Sequence, residues 1–498
     1  MVCAGQRTTR PDIAARLAFA GAGGYGLVGI TVEFAMNDLG NSVDMRAIAP
    51  GPRRVWHFLG PAGMISVGYM DPGNWATDLG GGARFGYQLL WVLVVANLIA
   101  MVLQTLAARL GIVAGRDLAQ SCRERYARPV VWALWLLCEM AIVACDLAEV
   151  LGGAIALNLL FKLPLAWGAL LTGLDALLIL GLQRYGIRQL EAVIAAMVLT
   201  IGGCLGLNVF LARPDWHAVA GGLIPRLDGA SLYLAIGMLG ATVMPHNLYL
   251  HSALVCTRRI DPTPAAQREA IRYNFFDTAL ALNLAFLINA AILVVSAATF
   301  FSRGIEVTEF SQAYDLLTPL LGSVGASAAF AIALLAAGQS SAVTGTLAGQ
   351  IVMEGFLHLR LSPLKRRLLT RLLAVVPAVT VLAVMGEGGV LRLLVLSQVV
   401  LSLQLPFAIV PLIRFTHDAS VMGSLVISAG VQRLAAAIAV GITGINGWLV
   451  WQALGPGSEM GAELPLWRGL CVVIGVACAG LLVWITVVPL RHVPASRR

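Results

Sequence analysis

Apolar residues run along this chain in long, nearly unbroken blocks, and polar positions fall mainly between them. A helix needs about 20 mainly apolar residues to cross roughly 30 Å of hydrocarbon. Blocks of that kind lie at 57–83, 87–113, 129–161, 165–182, 188–212, 228–257, 277–302, 323–357, 366–386, 390–414, 430–454 and 468–490. They predict twelve spans, of which the third, sixth and eighth overrun a simple crossing and should end at the interfaces. The fold class is therefore an all-α membrane protein, with no stretch left for a large soluble domain.

Composition strengthens that reading. Hydrophobic residues make up 58% of the 498, charged residues only 12%, and mean hydropathy is +0.83. A soluble chain carries about 25% charged residues. The net charge of +8 is distributed as a topology signal rather than as a nucleic-acid footprint. Alternate loops carry Arg116, Arg123, Arg125 and Arg128; Arg184 and Arg188; Arg258, Arg259, Arg268 and Arg272; Arg360, Lys365, Arg366 and Arg367; then Arg414 and Arg433. The loops between them hold acids such as Glu306, Glu309 and Asp315, or Glu459 and Glu463. Basic loops stay cytoplasmic, so an even span count with both termini cytoplasmic satisfies every loop. The excess of arginine over lysine points to a GC-rich bacterial source and hence an inner membrane.

The eight cysteines form no C-x-x-C pair, which argues against a disulfide framework or a zinc site. Cys138 and Cys145 share a helix face and read as packing. Residues 1–54 read as a cytoplasmic N-terminal extension; 18–35 are too glycine-rich for a good signal peptide, and Met45 is an alternative start. Residues 416–490 read as two additional helices and 491–498 as a cytoplasmic tail.

Two spans are interrupted. The first contains Asp71, Pro72, Gly73 and Asn74, and the sixth contains Met244, Pro245, His246 and Asn247. Both tetrads have the form x-Pro-x-Asn, 244 − 71 = 173 residues apart. Proline removes a backbone donor and clashes with the preceding turn, and glycine weakens a helix further. Matched breaks in two five-helix halves, 55–212 and 228–415, indicate an inverted repeat with its binding site at the midplane. One kinked helix would be unremarkable in a membrane; two matched tetrads loaded with polar groups are not. Asp71 offers a carboxylate, Asn74 an amide oxygen, the carbonyls near Gly68 and Ala241 further oxygens, and Met244 a thioether sulfur. One carboxylate with neutral oxygens suits a divalent cation, and the sulfur tilts selection from Ca²⁺ and Mg²⁺ toward Mn²⁺, Fe²⁺, Co²⁺ or Cd²⁺.

The stretches DPGNWATDL, ATVMPHNLYLHS, GQSSAVTGTLAGQIVMEGF and LSQVVLSLQLPFAIVPL resemble the first-, sixth-, eighth- and tenth-helix signatures of the Nramp family, the natural-resistance-associated macrophage protein type of metal transporter. The resemblance spans 55–415, and within the bacterial branch the chain is similar to proton-dependent manganese transporters. It implies a leucine-transporter-type fold, two inverted five-helix repeats plus two extra helices, working by alternating access as a proton-coupled importer of divalent metals. It also implies that Asp71, Asn74, Met244 and the carbonyl of Ala241 hold the metal. Gly68 stands where many relatives have alanine, and only its carbonyl is expected to matter. A tenth-helix glutamine often completes such sites; Gln398 and Gln404 both qualify, with Gln398 preferred.

Ionisable residues inside spans are functional hypotheses by default. The third span carries Glu139, Asp146 and Glu149, seven and three residues apart and near one helix face. The sixth adds His246 and His251, followed by Arg258; with Asp71, Glu139, Asp146 and Glu149 these are the candidate proton pathway. The family resemblance implies that Asp71 passes a proton to Asp146 and Glu149 and that His246 tunes the coupling. The competing reading of Asp146 and Glu149 is an ion-pair network with Arg258 or Arg371. Further expectations are that Asp78 satisfies freed backbone or neighbouring donors, that Asn74 and Asn247 cap the resumed half-helices, that Glu354 joins a cytoplasmic gate, and that Trp75 lines the site.

Other functions fit less well. An amino-acid or organic-cation symporter on the same fold would receive a carboxylate at helix N-termini, and Asp71 would repel it. A passive channel would want a continuous pore with rings of like ligands. No Walker motif is present to support ATP-driven pumping, and no feature suggests an enzyme, a cofactor or a nucleic-acid partner.

Overall fold

A computed structural model describes residues 43–47, 58–173, 187–307, 309–358, 363–385, 389–454 and 465–491. The first span is a broken pair, α1 (Pro61–Ser66) and α2 (Pro72–Phe85). It is followed by α3 (Leu90–Ala114), the short α4 (Leu118–Arg125), α5 (Arg128–Phe161), α6 (Leu165–Gly173) and α7 (Ile187–Ala212). After a short α8 (Trp216–Gly221) comes the second broken pair, α9 (Gly229–Val243) and α10 (Pro245–Leu254). Then follow α11 (Pro264–Thr299), α12 (Phe310–Leu321), α13 (Val324–Leu357), α14 (Pro363–Met385) and α15 (Val390–His417). The last elements are α16 (Ala419–Met422), α17 (Ala429–Leu454) and α18 (Pro465–Val487).

Every expected span coincides with one of these helices or broken pairs; the end of the fourth lies outside the described residues. Among the described residues, seven helices are individually long and apolar enough to cross a membrane. The seventh span starts earlier than its apolar block suggested, because Thr263 caps α11 by accepting from the Ala266 N–H and Pro264 occupies the first turn. Charged residues in that first stretch hid it from the hydropathy pattern. The 34 residues of α5 reach about 51 Å at 1.5 Å per residue, well beyond the hydrocarbon.

Lipid tails give helices no hydrophobic reason to associate, so close packing of small residues must hold a bundle together. The interface of α5 with α13 is built that way. A Cβ on Gly152 would collide with the Pro72 ring, and one on Gly338 would stand 3.5 Å from Gly153 N and 3.6 Å from the Pro72 ring. In turn α11 packs along α2 and α3, while α9 packs on α15 and α2. The breaks of the first and sixth spans thus lie at the centre, flanked by α5, α11, α13 and α15. By contrast, α17 is largely exposed along its length, with Val440, Trp448 and Trp451 outward, as a lipid-facing helix should be.

Part of the N-terminal extension joins the fold. Residues Val43–Asp44 (β1) pair in parallel with Arg258–Arg259 (β2). Met45 is buried against Phe58, Ala108, Ile112, Val255 and Ala270. That cluster draws together α3, α11 and the segments just before α1 and just after α10.

Candidate metal centre

Pro72 and Pro245 lack the N–H that a helix would offer to the carbonyls four residues earlier, which are Gly68 and Ala241. Leaving a buried carbonyl without its donor costs about 1–3 kcal/mol, so two freed carbonyls at mid-bundle need partners. At the first break α1 gives way to a 3-10 turn over Gly68–Met70, and Asp71 is extended (φ −66°, ψ 165°). At the sixth, the single residue Met244 (φ 19°, ψ 107°) separates α9 from α10.

The side chain of Asn74 lies at the meeting point of both breaks. Its Nδ2 donates to Asp71 Oδ1 at 2.7 Å, to Ala241 O at 3.2 Å and to Gly68 O at 3.4 Å. Three oxygens, one of them a carboxylate, thus converge on one electropositive group. Turning the amide over would add Asn74 Oδ1 to the same cluster, and the two orientations differ only by which atom is N. Asp71, Asn74, Ala241 and Met244 are all fully buried. Asp71 Oδ2 has no hydrogen-bond partner among the described residues. The Met244 sulfur lies 3.3 Å from where a Cβ on Gly68 would stand.

Gln398 on α15 reaches both breaks: a Cβ on Gly73 would collide with its amide, and its backbone carbonyl abuts Gly240. Its Nε2 donates to Ser397 Oγ at 3.0 Å, and its Oε1 has no partner among the described residues. Gln404 lies instead beside Tyr249 on α10, so the two candidate glutamines occupy different levels of α15.

Several expectations need correction. The cap of α2 is Asp71, whose Oδ1 accepts from the Asn74 N–H at 2.8 Å. Asn74 and Asn247 do not cap, because each stands third in its resumed helix rather than at the residue before it, and α10 has no side-chain cap. Asp78 was expected to satisfy nearby donors, yet neither of its buried carboxylate oxygens has a hydrogen-bond partner among the described residues. Trp75 stacks edge-on against Phe330 of α13 at 5.2 Å.

On α5, Asp146 and Glu149 are buried and face α13: a Cβ on Gly345 would lie 2.9 Å from Glu149 Oε1 and 3.5 Å from Asp146 Oδ1. Their approach depends on that glycine. Cys145 Sγ points to Glu149 Oε1 at 3.9 Å. The Asp146 carboxylate is near enough to act on the charge of His246, which is itself buried. Glu139, two turns earlier, is half-buried.

His251 and Arg258 stand apart from that face. His251 lies between Gln104 Oε1 (3.0 Å) and Asn274 Oδ1 (3.2 Å), and Gln104 Nε2 donates to the Tyr69 hydroxyl at 2.7 Å. Arg258 pairs with Glu191 at 2.7 Å and donates to Phe58 O and Leu59 O. It binds α7 to the approach of α1, where Asp277 also accepts from the Gly60 and Ala62 N–H groups. The side chain of Arg371 lies outside the described residues. Glu354 accepts from Gln350 Nε2 at 3.1 Å, and its backbone carbonyl accepts from Arg123 of α4.

Asn289 on α11 was missed by the sequence reading. Its Nδ2 donates to Tyr69 O at 2.7 Å and approaches Asn74 Oδ1 at 3.5 Å, so it fixes the turn between the two half-helices. The signal was there, since an asparagine deep in an apolar span is costly, although Asn283 in the same span shares it.

Residues 62–452 match the family profile described as natural resistance-associated macrophage protein-like. The chain is 57% identical over 408 residues to the divalent metal cation transporter MntH of Xanthomonas campestris, covering 81% of this chain and 92% of that protein. Identity to the protein of the same description from Nostoc is 52% over 407 residues, covering 81% and 92%. Among solved structures, the manganese transporter of Eremococcus coleocola superposes with a TM-score of 0.82 at 36% identity, covering 90% of this chain and 98% of that one. The nucleobase-cation-symport-1 transporter Mhp1 shares the fold alone (TM-score 0.54, 16% identity, 86% and 92% covered). A leucine-transporter-type bundle carrying two x-Pro-x-Asn breaks, matched over most of its length by these proteins, makes this chain a member of the Nramp family of divalent metal transporters.

Proposed function

We propose that the chain imports divalent transition metals, Mn²⁺ and Fe²⁺ foremost, together with protons by alternating access across a bacterial inner membrane, with both termini cytoplasmic. The observation that carries this reading is the convergence of Asp71 Oδ1, Ala241 O and Gly68 O on the Asn74 amide, with the Met244 sulfur alongside. Acceptor-only groups gathered around one point at mid-bundle suit a cation, and a single carboxylate with neutral oxygens and sulfur suits a thiophilic divalent one. Asn74 turns its oxygen inward as the metal enters, and Gln398 closes over it from α15.

Protons take the face of α5. Metal at Asp71 displaces its proton, which leaves by Asp146 and Glu149, with His246 beside Asp146 setting the coupling. Glu139 lies further along the same helix. His251 and Arg258 serve the movement of α10 against α3, α7 and α11 rather than carrying the proton themselves. The relatives named as manganese or divalent metal transporters support the choice of substrate.

Reconstituted vesicles loaded with a pH dye test this directly. Adding Mn²⁺ outside should acidify the lumen, and Asp146→Asn should abolish that acidification. Unchanged metal-driven acidification in the variant would remove the α5 route.

A further inference from the structure

We infer that Asn247, the counterpart of Asn74 in the sixth break, is a positioning residue for the Met244 sulfur, and that the missing side chain of Gly68 gives it room. This rests on Met244 being a metal ligand. The Asn247 Nδ2 lies 3.6 Å from Met244 Sδ and 3.5 Å from Ile65 O of α1. The residue is fully buried. A Cβ on Gly68 would collide with that same Nδ2 and stand 3.4 Å from the Asn247 Cγ. Gly68 therefore matters for more than its carbonyl.

The chemistry explains why such a device is useful. Methionine is unbranched with three rotatable bonds, and its thioether is a weak hydrogen-bond acceptor. Left alone, the sulfur would sample several positions, and each binding event would have to fix one of them. An amide N–H directed at one lone pair holds the thioether in place and leaves the other lone pair for the cation. Asn247 Oδ1 has no donor among the described residues, so its other bonds do not dictate the amide orientation; the sulfur and Ile65 O do. The two asparagines of the repeat thereby do different work. Asn74 gathers hard oxygens, and Asn247 aims the soft atom.

The test is a coupling measurement in proteoliposomes, with Cd²⁺ uptake competed by Ca²⁺. Asn247→Leu keeps the volume and removes the donor; Gly68→Ala keeps the donor and pushes it aside. Each should lower Cd²⁺-over-Ca²⁺ discrimination about tenfold, the usual size for a residue that orients a ligand, chiefly through KM for Cd²⁺. In a Met244→Ala background neither substitution should change discrimination further. Equal effects of Asn247→Leu with and without Met244 would overturn the inference, as would full native discrimination in Gly68→Ala. If Met244→Ala itself leaves discrimination intact, the ligand assignment fails first. If Asn247→Leu does not fold, Gly68→Ala alone still decides.

Discussion

At the first break the chain leaves α1 through a 3-10 turn and Asp71 caps the resumed helix, whereas at the sixth a single residue, Met244, separates two helices without a side-chain cap. Both are written x-Pro-x-Asn, and both prolines free the carbonyl four residues back. The backbone consequence is therefore the same in the two halves. The side-chain consequence is opposite: one break supplies a charged, hard oxygen, the other a neutral, soft sulfur. On the proposed reading an inverted repeat gives the site its geometry twice, and the difference between Asp71 and Met244 gives it selectivity.

The largest expected effect follows from removing the hard side. Asp71→Asn takes away the one carboxylate while its amide oxygen can still accept from the Asn74 N–H at the α2 cap. Mn²⁺ uptake should fall about 100-fold or more, since ~3 kcal/mol at 1.4 kcal/mol per tenfold gives that factor. Uptake within threefold of native would mean that neutral oxygens and sulfur suffice.

A smaller effect should follow from repairing one backbone. Pro245→Ala restores an N–H that can bond the Ala241 carbonyl and extend α9 into α10. Withdrawing one oxygen from the cluster should weaken Mn²⁺ binding about tenfold, equivalent to ~1.4 kcal/mol, read by calorimetry on the purified protein. Unchanged affinity would show that the Ala241 carbonyl is not used.

The smallest effect lies far from both breaks. Asp117 caps α4, accepting from the Gln120 N–H at 2.8 Å, and burial pushes its carboxyl up to about 7 against the pull of Arg123. A carboxyl raised in the folded state stabilises fully below its unfolded value, and that contribution is lost as pH rises through about 7. Docking of α4 should loosen between pH 5 and 8, letting a thiol reagent reach Cys122, which is buried in that helix. The ratio of native to Asp117→Asn labelling at Cys122 should rise at least severalfold over that range. A flat ratio would remove the effect.

How much of this was legible beforehand differs between backbone and side chains. Spans announce themselves because hydrocarbon demands about 20 apolar residues in a row, and the breaks do so because proline cannot continue a helix. The four ligand candidates follow from those breaks. What stayed hidden depends on rotation and depth. Gln398 rather than Gln404 meets Gly73 because six residues along α15 carry a side chain about 9 Å away. Arg258 found Glu191, not an α5 acid, because α10 ends beside the approach to α1. The cap of α2 was misread since Asp71 was already assigned to metal, whereas its carboxylate also accepts from the Asn74 N–H. Asp78 fits no sequence rule: it is buried four residues past Asn74, its oxygens lack hydrogen-bond partners among the described residues, and it is near enough to act on Asp71. The structure offers no reason for it.

On the proposed function, a sulfur beside hard oxygens selects the cargo. The measurement is Mn²⁺ uptake into proteoliposomes under an inward proton gradient, native chain against Met244→Ala, with Ca²⁺ as competitor. Native uptake should be saturable and barely inhibited by Ca²⁺, and strongly inhibited by Ca²⁺ once the sulfur is gone. Equal Ca²⁺ inhibition of both proteins, or no uptake of Mn²⁺, Fe²⁺ or Cd²⁺ under any gradient, would contradict this reading.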